Sequence, residues 1–475
     1  STGVFVFAKD TRRPADMVVR ITLLLCLLTG FVQTDVGRWV IKEYTAGPHN
    51  DPGDHGDALF LTPMIRKGRV SQARTRAKTG SIEGENVPSY SGYLTVNKSA
   101  GSNLFFWFFP NQELETAPII LWLQGGPGKT SLFGLFVENG PYVITPDMKA
   151  HHRKVSWSKH FHMLYIDNPV GTGYSFTESE QGYATNQDDI STDLFEALQQ
   201  FFTLFKEYSD NQFFIAGEAY AGKYVPALAH VIHTRRAEAK MKLTGLIIGN
   251  GLCDPVTMLN HADFLLQTAL VSRLQSFQIK AIQEDIKAQI EQGNYVEAFK
   301  LKTDIIKKIK EFTGASYLHN YLLTSEPSEF RRYESFVQTT RTRKAIHVGS
   351  VPFSDHSRKV AKHLEADRMR SVKHLLSELL EHYQVLIYTG QLDIVVAPPM
   401  TLAFVDSMEW SGARELTVAD RTVWRDVDTF DPLGYVRRVG KLTEVMVAKA
   451  SRMVAFDRPK VAFEMIERFI NRRPF

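Results

Sequence analysis

From about residue 90 onward, short apolar runs alternate with longer amphipathic ones. "PIILWLQG" (118–125), "HMLYIDNP" (162–169), "QFFIAGE" (212–218), "LTGLIIGN" (243–250), "QVLIYTG" (384–390) and "EVMVAKA" (444–450) are apolar on consecutive positions and bounded by turn residues. Such runs predict buried strands of a largely parallel sheet, because only a strand covered on both faces can be apolar without alternation. "SGYLTVN" and "NLFFWFF" predict a strand pair joined through "KSAGS". Between the second and third of these runs, Ile190, Leu194, Leu198, Phe201 and Phe205 recur at steps of three and four, which predicts a helix with one apolar face. Asp188 and Asp189 fall in its first turn and Lys206 in its last, matching the helix dipole.

The strand pattern stops between 257 and 345. Charged amphipathic segments such as "LKTDIIKKIKEF" (301–312) replace it and predict a helical insertion capping the sheet. Residues 89–256 and 346–475 are then the two parts of one α/β core, and 35–88, rich in Gly, Pro and charged residues after 45, is expected to be an extended N-terminal segment. Strands alternating with helices place functional loops at the C-terminal ends of the strands.

At 475 residues, with 44% hydrophobic and 23% charged residues, the chain can build one large α/β domain with insertions. The net charge of +4 is dispersed, and "RTRK" (341–344) and "NRRPF" (471–475) are too short to make a nucleic-acid-binding stripe. Arg20, the apolar run Ile21–Leu28 and the small residues Thr29 and Gly30 follow Met17 in the order of a secretory signal peptide. The expectation is a signal over 17–34, with 1–16 as upstream translation and no transmembrane segment in the mature chain. Removal of the signal would take Cys26 and leave Cys253 alone. The sequon Asn97-Lys98-Ser99 could carry a glycan in the secretory pathway.

Three Gly- and Pro-rich loops follow strands. In "LWLQGGPGKTSLFGLFVENGPY" (121–142), Gly125 and Gly126 allow a sharp turn that frees N–H groups to face an anionic oxygen. "IDNPVGTGYSF" (166–176) is the second. "FFIAGEAYAG" (213–222) has the layout of a nucleophile elbow, with Gly217, Ala221 and Gly222 as the small neighbours that a strained strand-to-helix turn requires. At the nucleophile's position stands Ala219, whose methyl group can attack nothing.

"LWLQGGPG", "GLFVENGPY", "IDNPVGTGYSF" and "GEAYAGKYVPALAH" resemble signature blocks of the serine carboxypeptidases, and "ALFLTPMI", "YSGYLTVNKSAGSNLFFWFFP" and "VLIYTGQLDIVV" resemble the vitellogenic-like branch. The resemblance spans roughly residues 57–472. It implies an α/β-hydrolase fold with a mixed, mostly parallel sheet and a helical cap. It also implies hydrolysis of C-terminal peptide bonds by a Ser–Asp–His triad, a secreted or lysosomal address, and no cofactor or metal. Carried over residue by residue, the serine position is Ala219, the acid Asp393 and the histidine position Arg452. The oxyanion donors are the N–H groups of Gly126 and Tyr220. The peptide's terminal carboxylate is expected at Gln124, Gly125, Glu138 and Glu218, where two glutamic acids share protons with it at raised pKa.

No histidine follows Asp393 in the chain. Arginine stays protonated and cannot act as a base, so nucleophile and base are both missing. Arg452 is expected to pair with Asp393. Lys129 stands where relatives have Cys or Gly, and Ala315 and Thr324 where vitellogenic-like relatives carry paired cysteines. The resemblance therefore implies an inactive homologue that binds a peptide or protein C-terminus. Two readings stay open beside it: an active enzyme whose sequence is misreported near 219 and 445–455, and a structural homologue that binds nothing.

Overall fold

The computed structural model describes residues 53–475, so the upstream stretch 1–16, the signal over 17–34 and Cys26 lie outside the described residues. The strands are β1 (Tyr90–Asn97), β2 (Ser102–Phe109), β3 (Ile119–Leu123), β4 (Tyr142–Ile144), β5 (Ala150–His152) and β6 (His162–Ile166). They continue as β7 (Gln212–Glu218), β8 (Lys242–Gly249), β9 (Gln384–Gly390), β10 (Thr422–Arg425), β11 (Pro432–Val439) and β12 (Leu442–Val447). All but β4 and β5 join one ten-stranded sheet in the order β1-β2-β6-β3-β7-β8-β9-β12-β11-β10. Its centre, from β6 to β12, is parallel, and both edges are antiparallel.

The apolar runs are explained by cover on both faces. Along β3, Ile119, Leu121 and Leu123 pack into one core cluster and Ile120 and Trp122 into the other. On the first face lie helices that bracket the elbow. A helix at Gln187–Leu204 buries Ile190, Leu194, Leu198 and Phe201 completely, capped by Asn186 accepting from the Asp189 N–H. It ends before Lys206, which belongs to a following short 3₁₀ turn. The helix Ala221–Thr234 descends from the elbow itself.

The expected extended segment over 35–88 needs correction in its described part. Residues 62–66 and 70–77 form two short helices. Pro63 sits in the first turn of one, where its missing N–H costs nothing. Ala73 and Ala77, one turn apart, are fully buried in the other, while Arg76 is exposed and Arg74 lies half-buried over the Tyr90 and Phe205 rings beside Glu207, so charge here does not mark a coil.

Between β8 and β9 the described residues contain helices and no strand. Five α-helices and a 3₁₀ turn fall within 261–345, the longest being Arg273–Glu291, started by a Ser272/Gln275 capping box, and Tyr295–Thr313, ended by Gly314 in the left-handed region. Helices continue at Arg358–His363 and Lys373–Leu380, so sheet resumes only at β9. The boundary expected at 345 falls within a helical stretch.

Candidate active site

The elbow is built as its small residues require. β7 ends at Glu218, Ala219 turns with φ 55°, and the next helix begins at Ala221. A Cβ on Gly217 would lie 2.6 Å from the Ala221 Cβ, and one on Gly125 would lie 2.5 Å from the Tyr220 nitrogen. Glycine at both positions is therefore a steric condition of the turn. Ala219 is locked from below by its N–H to the Gly249 carbonyl at 3.0 Å. The N–H groups of Gly125, Gly126 and Tyr220 donate to no acceptor among the described residues, as an oxyanion hole needs.

Asp167 ties the first two loops together. Its carboxylate accepts from Thr130 Oγ1 (2.5 Å), the Ser131 N–H (3.0 Å) and the Tyr174 N–H (2.8 Å). Burial pushes its pKa up to about 7 against those donors. Lys129, in the first loop, makes an ion pair of 2.6 Å with Asp355.

Beneath the elbow lies a buried acid pair. Glu138 ends a π-helical turn, Gly134–Glu138, an irregularity typical of functional sites. Gln124 holds the pair: its Oε1 accepts from Trp122 Nε1 at 2.9 Å, and its Nε2 donates to Glu218 Oε1 at 2.8 Å and Glu138 Oε1 at 3.4 Å. Burial raises both carboxyls. For Glu138 the neighbouring Glu218 adds to it, and for Glu218 the Arg452 cation opposes it. The two carboxyls face each other, which requires a shared proton. The sequence placed Gln124, Gly125, Glu138 and Glu218 at one subsite, and they do converge.

This pair makes stability depend on pH. Both carboxyls bind protons more tightly folded than unfolded. Their contribution is present below the ordinary value of 4.5 and is lost as pH rises through the raised folded values. Melting the unmodified protein and Glu138→Gln side by side should show the smaller fall in Tm between pH 5 and pH 8 in the variant. Equal falls would mean that the pair shares no proton.

Asp393, fully buried after β9, is gripped by Asn250 Nδ2 (3.1 Å) and the Val395 N–H (2.9 Å). The expected Arg452–Asp393 pair does not form. A histidine from the cap stands between them: His319 Nδ1 lies 3.4 Å from Asp393 Oδ1, and its Nε2 lies 3.0 Å from Arg452 Nη1. Since arginine only donates, Nε2 accepts and Nδ1 carries the proton toward Asp393. Arg452 turns instead to Glu218, Nε to Oε1 3.5 Å. The backbone explains the arrangement: the Ile394 N–H bonds to Leu318 O, Tyr321 N–H to Leu392 O, and Arg452 N–H to His319 O. These bonds lay the segment 317–321 along the acid loop. Burial, with Arg452 adding, holds the His319 pKa below its ordinary value. His319 and Asn250 escaped the sequence reading, which sought an imidazole only after Asp393. Ala315 and Thr324 flank this segment, which is closed by the Ser316 N–H to Thr324 O at 2.9 Å.

An elbow, three N–H groups with no acceptor among the described residues, a buried acid after β9 and a buried glutamate pair are thus assembled at one end of the sheet. The family model for serine carboxypeptidase matches residues 80–472. The chain belongs to the serine carboxypeptidase family. It is 45% identical over 434 residues to the venom serine carboxypeptidase of Apis mellifera, covering 89% of this chain and 92% of that one. It is 43% identical over 431 residues to the probable serine carboxypeptidase CPVL of Homo sapiens (88% and 90% covered). With the vitellogenic carboxypeptidase of Aedes aegypti it shares 39% over 468 residues (95% and 98% covered). Among solved structures, a prohormone-processing carboxypeptidase of Saccharomyces cerevisiae superposes with a TM-score of 0.76 at 23% identity, covering 84% of this chain and 96% of that one. The serine carboxypeptidase has the α/β-hydrolase fold expected from its loops. No helix of the described residues is long and apolar enough to cross a membrane.

Proposed function

We propose that this serine carboxypeptidase homologue is catalytically silent and binds the C-terminal end of a peptide or protein without cutting it. The observation that carries the reading is the contrast at the elbow: Ala219 at φ 55° has no attacking atom, while Gln124 Nε2 beside it bridges the buried carboxyls of Glu138 and Glu218. His319 does not supply the missing base, because its Nε2 lone pair is taken by Arg452. Arg452 itself has no proton to give up. A secreted or lysosomal setting suits the site, since an acidic medium keeps the glutamates protonated and able to donate to a bound carboxylate. The signal-like stretch after Met17 agrees, as does the sequon at Asn97, the last residue of β1.

Calorimetric titration with an N-acetylated dipeptide tests the reading. The free acid should bind more tightly at pH 5 than at pH 7, and its C-terminal amide should bind weakly at both. No binding at either pH would favour the homologue that binds nothing, a reading supported by the Arg452–Glu218 contact already filling part of the cleft. Hydrolysis by the unmodified protein would favour the active enzyme, and resequencing the transcript at codons 219 and 445–455 would then decide its cause.

A further inference from the structure

Arg452 is a strong cation at the elbow that the family triad does not use. Its guanidinium is only partly engaged. Nη1 is given to His319 Nε2 at 3.0 Å. Nε is buried, but at 3.5 Å from Glu218 Oε1 it makes an ion pair without a hydrogen bond and has no other partner. Nη2 donates to nothing among the described residues, and 21% of the side chain is exposed to solvent. Asp393 does not compete for it, being occupied by Asn250, the Val395 N–H and His319.

We infer that Arg452 is the charged anchor of a peptide's terminal carboxylate, held on the glutamate side of the cleft by His319. This rests on the peptide-end reading above and says which group supplies the charge. The bookkeeping of charge favours it. With both glutamates protonated, Arg452 has no ionised carboxylate in direct contact, since His319 separates it from Asp393, and an incoming carboxylate fills that place. The unsatisfied Nε–H and free Nη2 are the two donors that an arginine offers side by side to a carboxylate. When Glu218 ionises, it competes for the same cation from inside the protein, so affinity falls as pH rises. The other charged or titratable groups facing Arg452 are Asp393 and His319, with Tyr317 and His356 further round the cleft. His319 is a positioning residue, since only its neutral form can accept from Nη1 and fix the guanidinium plane.

The test titrates N-acetyl-Phe-Leu and N-acetyl-Phe-Leu-amide at pH 5 into the full protein and into Arg452→Gln, Arg452→Lys and His319→Gln, with melting curves to verify folding. A lost charge-assisted bond lowers affinity about tenfold or more. Arg452→Gln should therefore weaken the acid by that factor and leave the amide unchanged. Arg452→Lys should recover part of the loss, and His319→Gln should fall between. Acid affinity equal to or above the unmodified protein's in Arg452→Gln would overturn the inference, making Arg452 a plug, while the peptide-end reading stands. Equal affinity for acid and amide in the unmodified protein would overturn both.

Discussion

A peptide with a free C-terminus should emerge unshortened from incubation with the purified protein at pH 5, and should lose its last residue when Ala219→Ser/Arg452→His is used instead. The elbow already holds position 219 at φ 55°, above unspent N–H groups of Gly126 and Tyr220. A serine there would be presented as a nucleophile needs. In triads, losing the nucleophile or the base costs on the order of a millionfold in turnover. Even partial recovery should raise the release of the terminal residue by about a thousandfold or more. The single Ala219→Ser change should recover nothing, because His319 has its lone pair on Arg452. His319 also occupies the side of Asp393 that a new imidazole would need. Adding His319→Ala to the double variant is therefore expected to increase activity further. Cleavage by the unmodified protein at a comparable rate would contradict this account of the site.

The largest effect on stability is expected at Asp167. Asp167→Ala removes the acceptor shared by Thr130 Oγ1 and the Ser131 and Tyr174 N–H groups, all in buried residues. A buried donor left unpaired costs about 1–3 kcal/mol. Three donors, partly rescued by water entering the space, should cost about 3–5 kcal/mol. Asp167→Asn keeps one acceptor oxygen and should lose roughly half as much. Denaturant midpoints at constant slope would measure both. The change should also weaken peptide binding, since Asp167 is what couples the first loop to the second. A loss below about 1 kcal/mol in Asp167→Ala would mean that the loops are held by their packing alone.

The central strands were legible because burial on both faces writes continuous apolar runs, as in β3 and β7. β11 was not, since it starts at Pro432 and carries Arg437 and Arg438. Arg437 is buried by pairing with Glu444 of β12, a tertiary fact that single-strand composition disguises. The elbow was legible because its geometry demands small residues at 217, 221 and 222, whatever occupies 219. The acid pair was legible only through family resemblance. His319 left no local signal: its meaning comes from a cap segment laid against the acid loop by backbone bonds to Leu392, Ile394 and Arg452. The same bonds explain why Arg452, expected on Asp393, turns to Glu218.

The central claim is that peptide ends are held here and not cut. Native mass spectrometry of the protein mixed with an N-acetylated dipeptide acid at pH 5, followed over hours, tests it most directly. The account predicts a complex carrying the intact dipeptide throughout, absent with the amide. A complex that decays as the shortened product accumulates, or no complex at all, would contradict it.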